Sequence, residues 1–370
     1  MKFHHIRTAL VGGIAVLLSG NAAPSGKLCP AASAVLPQLA CVESANGVVL
    51  AGDTARAQRL LELAESGVVR FKEYFGRQAL RYAVAEGPDA LVPPESVSAL
   101  RKAGFPVVLP WISPKVYRQQ VEQSIRRGLT ARMAGRPQEE IDAAVLKAVE
   151  QQTNPERFAR TELATVSHEL GHYWFWQGYW PKSTLSEDKH YGGPSPDWLD
   201  EMSAVLMEAP VSFNDRVKQF GQRYATYRVD PQKADENTRL TVDLVNFLSE
   251  THPAHEQTKL LSQQVGGEPK NGSFKAMVFS GEEARKIIEG GARFYLQSAV
   301  ASQYLIDRTG NRQIFGRIAE AFARGETMAQ WLANKEPKGK LPRDLKALQA
   351  DWMAWLATRF PAEAATKPAA

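Results

Sequence analysis

The segment that decides the fold is residues 153–178, which read TNPERFARTELATVSHELGHYWFWQG. Asn154 and Pro155 form a typical helix start, because asparagine caps the first turn and proline is well tolerated there. Apolar residues then recur at helical spacing, at Phe158, Leu163, Val166, Leu170 and Tyr173. The pattern predicts one long helix that ends near Gly178.

The chain before this helix mixes helical and strand patterns. Asp53 and Gly76 stand at the two ends of a helical pattern as its caps. Residues 80–85 alternate like a strand, and residues 105–111 are a second candidate whose two prolines suit the edge of a sheet. Residues 114–152 are polar and read as helical.

Together these patterns predict an α+β fold. We expect a small mixed sheet with helices in the N-terminal half and an all-helical C-terminal lobe, because strand signals are scarce in the second half. The helix at 153–178 would lie at the cleft between the two. The expected parts are residues 1–23, an extended or weakly ordered lead-in at 24–52, an α/β part at 53–180 and a helical part at 181–370.

The first 23 residues have the layout of a secretory signal peptide. Lys2 and Arg7 supply the basic start, residues 9–18 are apolar, and small residues follow. An apolar stretch this short does not cross a bilayer comfortably. We therefore expect an exported protein, periplasmic or extracellular, with no stable membrane insertion after cleavage near Ala22 or Ala23.

Cys29 and Cys41 are the only cysteines in the sequence. In an oxidising compartment, such a close pair favours a local disulfide. Lipidation of Cys29 is a weaker alternative, because Lys27 and Leu28 stand where a lipidation site needs small residues. A thiolate metal site is disfavoured too, since no further Cys or His lies between the two cysteines.

The overall composition is that of a globular protein with a sizeable core. Of the 370 residues, 44% are hydrophobic, and 45 basic side chains are mixed with 40 acidic ones for a net charge of +5. Removal of the signal peptide would take away two of those charges. So small a surplus does not favour a nucleic acid or an anionic lipid as partner.

His168 and His172 are the candidate metal ligands. Residues four apart on a helix leave the same face one turn apart, and two imidazoles so placed can bind one Zn²⁺ ion. Glu169 follows the first histidine and can act as the general base, taking a proton from the attacking water and handing it to a leaving amine. Gly171 leaves room for backbone or substrate to approach.

A catalytic zinc site needs a third protein ligand, for which Glu201 is the best candidate. It follows His172 by 29 positions on a second predicted helix, where the small residues Ser203 and Ala204 would allow close packing. The competing residues are Asp200, Glu208 and His190.

Three segments resemble the gluzincins, the zinc metallopeptidases that include thermolysin-like enzymes and a large aminopeptidase branch. Residues 166–172 (VSHELGH) and 198–204 (WLDEMSA) are similar to the two ligand helices of the family. Residues 294–310 are similar to a later helix of the aminopeptidase branch. This resemblance implies that Tyr295 donates a hydrogen bond to the oxyanion of the tetrahedral intermediate, for which a neutral phenol is well suited.

The sequence departs from the family pattern in three places. A Gly-x-Met-Glu-Asn segment, which binds the substrate amino terminus in the aminopeptidase branch, is missing before His168, so an endopeptidase is favoured. The spacing between the second and third ligands is longer than usual. Val205 stands where thermolysin-like enzymes have an acidic residue, so a carboxylate that holds His168 must come from elsewhere, and Asp200 is one candidate.

Three further features have less specific interpretations. The aromatic run at 173–180 suits the core better than a substrate cleft. His252 and His255 flank Pro253 and are more typical of a loop than of a second metal site. Residues 183–194 could form a flap over the site.

The sequence thus predicts an exported zinc metallopeptidase that hydrolyses peptides or proteins. One zinc ion per chain would be held by His168, His172 and Glu201, with Glu169 as base and Tyr295 as oxyanion donor. Two alternatives stay open: an exported zinc-containing binding protein without turnover, and a zinc amidase that acts on cell-wall material.

Overall fold

A four-stranded mixed sheet organises the N-terminal half. The computed structural model describes residues 27–182, 193–253, 255, 281–334 and 339–361. The strands lie in the order β1-β2-β3-β4, with β1 antiparallel to β2 and the other two pairs parallel. Their bounds are β1 Ala40–Glu43, β2 Gly47–Ala51, β3 Tyr82–Gly87 and β4 Val107–Ile112. Strand β4, which follows Pro106 and contains Pro110, lies at the edge, as the sequence predicts.

The lead-in, expected to be extended or weakly ordered, is extended in two strands and is built into the fold where the structure describes it. It contains a short helix, α1 (Cys29–Ser33), and the strands β1 and β2. All five residues of β2 are buried, because this strand lies inside the sheet with packed layers on both faces. Cys29 and Cys41 form a disulfide that joins α1 to β1, with the two Cα atoms 5.8 Å apart.

Helices cover both faces of the sheet. Helix α2 (Thr54–Phe75) starts at Asp53, whose side chain accepts a hydrogen bond from the backbone of Arg56, and ends at Gly76 with a left-handed φ of 68°. Val49, Val84 and Leu109 face a large core shared with α2 and the later helices. Val48, Ala83 and Val108 face a smaller core shared with α1 and with α3 (Pro94–Lys102).

The polar stretch after β4 forms two helices that contact each other, α4 (Pro114–Arg132) and α5 (Gln138–Gln152). They pack on each other through a small apolar cluster of their own, centred on Ile141, Val145 and Val149. Helix α6 (Pro155–Tyr179) follows directly and packs against α2 and β4. It matches the predicted bounds to within one residue.

The described C-terminal part is helical and contains no strand. None of the described helices is long and apolar enough to cross a membrane. The bounds are α7 Asp197–Met207, α8 Pro210–Val229, α9 Glu236–Val242, α10 Leu244–Phe247, α11 Gly281–Thr309, α12 Ile314–Ala323, α13 Met328–Ala333 and α14 Leu345–Arg359. Helix α7 packs between α6 and α11, so residues of all three helices can meet at one place.

Candidate metal centre

Helix α6 presents His168 and His172 on one buried face. The helix starts where the sequence predicts, with the Asn154 side chain accepting a hydrogen bond from the backbone of Arg157 at 2.8 Å. Both histidines are nearly inaccessible to solvent, and their ring centres are 5.0 Å apart. The predicted pair of ligands is therefore aligned on one face.

Helix α7 brings Glu201 to the two histidines. The Glu201 carboxylate is fully buried, with Oε1 3.5 Å from Nε2 of His168 and Oε2 3.8 Å from Nε2 of His172. The ligand atoms of the three residues all lie within 4.8 Å of one another, so the group could hold a metal ion. Two imidazoles and one carboxylate are a donor set typical of zinc, and the residues therefore fit that metal.

The two helices can approach this closely because residue 171 is glycine. A Cβ atom there would lie 2.8 Å from Cγ of Met207 and 2.9 Å from Cα of Ala204. Both distances are shorter than carbon atoms tolerate. The sequence predicted that Gly171 lets either backbone or substrate approach. In the structure it is the backbone of α7 that lies against Gly171.

Each histidine is held from behind by a carboxylate. Nδ1 of His172 donates to Oδ1 of Asp200, and Nδ1 of His168 donates to Oε1 of Glu208, both at 2.9 Å. Because Nδ1 of each ring is bound to a carboxylate, Nε2 is the nitrogen left to bind a metal. Asp200 and Glu208, the competitors for the third ligand, are therefore outer partners, and the partner of His168 is Glu208 rather than Asp200.

Arg216 of α8 fixes Glu208 in turn. It donates to both carboxylate oxygens, from Nε at 2.7 Å and from a terminal nitrogen at 2.5 Å. Burial raises the pKa of Glu208, but the hydrogen bonds from His168 and Arg216 outweigh burial and lower it. Glu208 is thus ionised at neutral pH and can orient His168.

The side chains of the centre carry an excess of negative charge. Burial lowers the pKa of His168, yet the charge of Glu201 and the hydrogen bond to Glu208 outweigh burial and raise the pKa to about 9. The buried site therefore favours a cation, which can be a proton or a metal ion.

Glu169 and Tyr295 lie beside the centre as well. Glu169 is half-buried on α6, and the ring of Tyr295 on α11 is 5.7 Å from the ring of His168. The negative charge of Glu201, followed by burial and by Glu169, raises the pKa of Tyr295 well above its ordinary value. Its hydroxyl group stays protonated and can donate a hydrogen bond. The guanidinium group of Arg216 lies 4.7 Å above the Tyr295 ring.

A third histidine, His252, lies at the centre and was missed by sequence reasoning. Its Nε2 is 3.8 Å from Oε2 of Glu201. The sequence predicted a loop for His252 and His255, but Pro253 and His255 lie in a helical turn, and the backbone N–H of His255 donates to the His252 carbonyl at 2.8 Å. The His-x-x-His spacing contains no information on which part of the chain His252 meets. For Glu208 a usable signal did exist: it follows Glu201 by seven positions, close to two helical turns, and stands directly after α7.

The other sequence predictions around the site have mixed outcomes. The aromatic run after His172 belongs to the core, with Trp174 and Phe175 fully buried and Tyr179 nearly so. His190 and most of the expected flap at 183–194 lie outside the described residues.

No protein-family model matches the chain, and the comparisons with curated proteins and with solved structures find no match. The likeness to gluzincins therefore rests on the residues that carry it: the two histidines, the acidic residues of α6 and α7, and the tyrosine of α11.

Proposed function

We propose that this chain is an exported zinc metallopeptidase that cleaves peptide bonds with Glu169 as its general base. The observation that carries the proposal is the buried group of His168, His172 and Glu201. A purely structural zinc site has four protein ligands, whereas a catalytic site has three and a base close by. Among the described residues the group has three members, and Glu169 directly follows one of them.

Glu169 and Tyr295 have separate tasks in this reaction. A bound zinc ion would polarise the scissile carbonyl group and make water more acidic. The Glu169 carboxylate accepts a proton from the attacking water and passes it to the leaving amine. The Tyr295 hydroxyl, a neutral donor at pH 7, donates a hydrogen bond to the carbonyl oxygen as negative charge develops on it.

Export and the endopeptidase assignment are supported by the sequence. The N-terminal residues have the layout of a signal peptide, and the disulfide between Cys29 and Cys41 is suited to an oxidising compartment. An endopeptidase is favoured over an aminopeptidase because the chain has no Gly-x-Met-Glu-Asn segment before His168.

The test combines metal analysis with one substitution. Protein purified without chelators should contain about one zinc ion per chain, and Glu169→Gln should keep that zinc but lose cleavage of a peptide library by about 100-fold or more. Glu156→Gln is the matched control, because Glu156 is an exposed residue of the same helix. It should change neither quantity.

Two outcomes would change the proposal. A chain that binds no zinc would overturn the metal centre. A chain that holds zinc but cleaves no peptide would favour a non-peptide amide substrate or a binding protein without turnover, and an assay on cell-wall amides would separate these two.

A further inference from the structure

Three imidazole rings face the carboxylate of Glu201, and only two of them belong to the ligand group. Nε2 of His168 is 3.5 Å from Oε1, while Nε2 of His172 and Nε2 of His252 are each 3.8 Å from Oε2. The carboxylate is fully buried and ionisable, so its position depends on the charged and polar groups around it. His252 is one of those groups.

Helix α7 itself determines where His252 lies. The backbone N–H of His252 donates to Oδ2 of Asp197 at 2.8 Å. Asp197 and Glu201 are four apart on α7 and so lie on the same face. One helix thus holds the backbone of His252 with its first turn and meets the imidazole with its second turn.

Aromatic contacts restrict the imidazole from the other side. The His252 ring packs edge-on against Phe294 with the ring centres 4.7 Å apart, and its centre is 5.8 Å from that of Tyr295. Both rings belong to α11, which carries the expected oxyanion donor. His252 is buried and touches residues of both helices, so its ring can turn little.

The geometry points to a positioning role for His252: its imidazole holds the Glu201 carboxylate in place as the outer partner of the third ligand. The inference rests on the metal centre of the proposed function. Asp200 and Glu208 hold His172 and His168 through hydrogen bonds of 2.9 Å. The contact of His252 with Glu201 is longer, at 3.8 Å, and acts through charge and packing rather than through a direct hydrogen bond. Groups that surround a ligating carboxylate help to orient it.

Zinc affinity of the full chain tests this role without any activity assay. In a competition titration with a chromophoric chelator, His252→Leu should bind zinc about 10- to 100-fold more weakly. His252→Gln, which keeps a polar N–H group, should recover most of the affinity. His255→Leu is the matched control, since His255 is a half-buried histidine three positions away. It should bind zinc like the unmodified chain.

A double-mutant cycle separates positioning from a general effect on the fold. If His252 acts through Glu201, the loss caused by His252→Leu should shrink to a small factor when Glu201→Gln is already present. Equal losses in the two backgrounds, or unchanged zinc affinity in the folded His252→Leu chain, would overturn the inference.

X-ray absorption of the zinc-loaded unmodified chain provides a readout that needs no variant. Two imidazoles per zinc ion support the positioning role, and three would show that His252 is itself a ligand and overturn it. Failure of the peptidase proposal has a different signature: a chain that binds zinc and cleaves no peptide leaves these affinity and absorption results unaffected.

Discussion

Oε1 of Glu208 lies 2.9 Å from Nδ1 of His168, at the position where α7 has just ended. The chain has Val205 where a thermolysin-like enzyme would place this carboxylate. Glu208 follows Val205 by three positions, and Arg216 supports it there with hydrogen bonds to both oxygens. Glu208 thus orients His168 from just beyond the end of the helix that carries Glu201.

The first prediction concerns Glu208. Glu208→Ala removes the acceptor of His168 and leaves Arg216 without its buried partner, so zinc affinity should fall by about 10- to 100-fold. Glu208→Gln keeps one acceptor oxygen and should lose less. The measurement is a zinc competition titration, with Glu320→Gln as a control because its ion pair with Arg77 is largely exposed. Unchanged affinity in a folded Glu208→Ala chain would contradict the positioning of His168 by Glu208.

The pH dependence of zinc binding follows from His168. Its pKa is raised to about 9 in the metal-free chain, so a proton occupies the imidazole at neutral pH and must leave when the metal binds. The apparent association constant should therefore rise by about tenfold per pH unit from about pH 7 to pH 9 and level off above that. Titrations in buffers of different ionisation enthalpy should also show one proton released per zinc ion at neutral pH. An association constant that does not change over this range would contradict the raised pKa.

Local sequence signals were sufficient for the helices that carry the ligands. Asn154 and Pro155 determine where α6 begins, and the two histidines are aligned because residues four apart share a face of any helix. Asp53 and Gly76 likewise end α2 where their capping chemistry predicts. Features that depend on neighbouring residues in the chain could thus be predicted from sequence alone.

Features that depend on distant contacts could not be predicted. Strand β2 is a short apolar run whose strand character comes from the layers packed on both of its faces. His252 reaches Glu201 only because Asp197 binds its backbone across 55 positions of sequence. Nothing in the residues next to His252 signals that contact.

Arg56 should be essential for stability although it is remote from the proposed chemistry. Its guanidinium group donates to both Glu86 of β3 and Glu162 of α6, and the indole N–H of Trp111 also donates to Glu162. Arg56→Met would leave buried Glu86 without its cation and buried Glu162 with only the longer contact to half-exposed Arg59, which should cost about 3–5 kcal/mol in the free energy of unfolding. Denaturant unfolding measures this loss.

Arg59 is the matched control for Arg56, one helical turn away on α2. It lies 3.6 Å from Glu162, but half of its side chain is exposed. Because solvent screens such pairs, Arg59→Met should change the free energy of unfolding by less than about 1 kcal/mol. Losses of similar size in the free energy of unfolding for Arg56→Met and Arg59→Met would show that Glu86 and Glu162 do not depend on the buried guanidinium group of Arg56.

The contact between α6 and α7 should make Gly171 intolerant of even one added carbon atom. In Gly171→Ala the new methyl group would meet Met207 and Ala204, so α7 must shift and carry Glu201 away from the histidines. We expect a destabilisation of about 1–3 kcal/mol together with weaker zinc binding. Gly178 on the same helix has open space around it, so Gly178→Ala should be neutral or more stable by up to about 1 kcal/mol, with unchanged zinc affinity. Both variants add one methyl group to the same helix. A loss of zinc binding in Gly171→Ala alone would show that the close approach of α6 and α7 positions Glu201. Unaltered zinc binding in both variants would disprove this role of the helix contact.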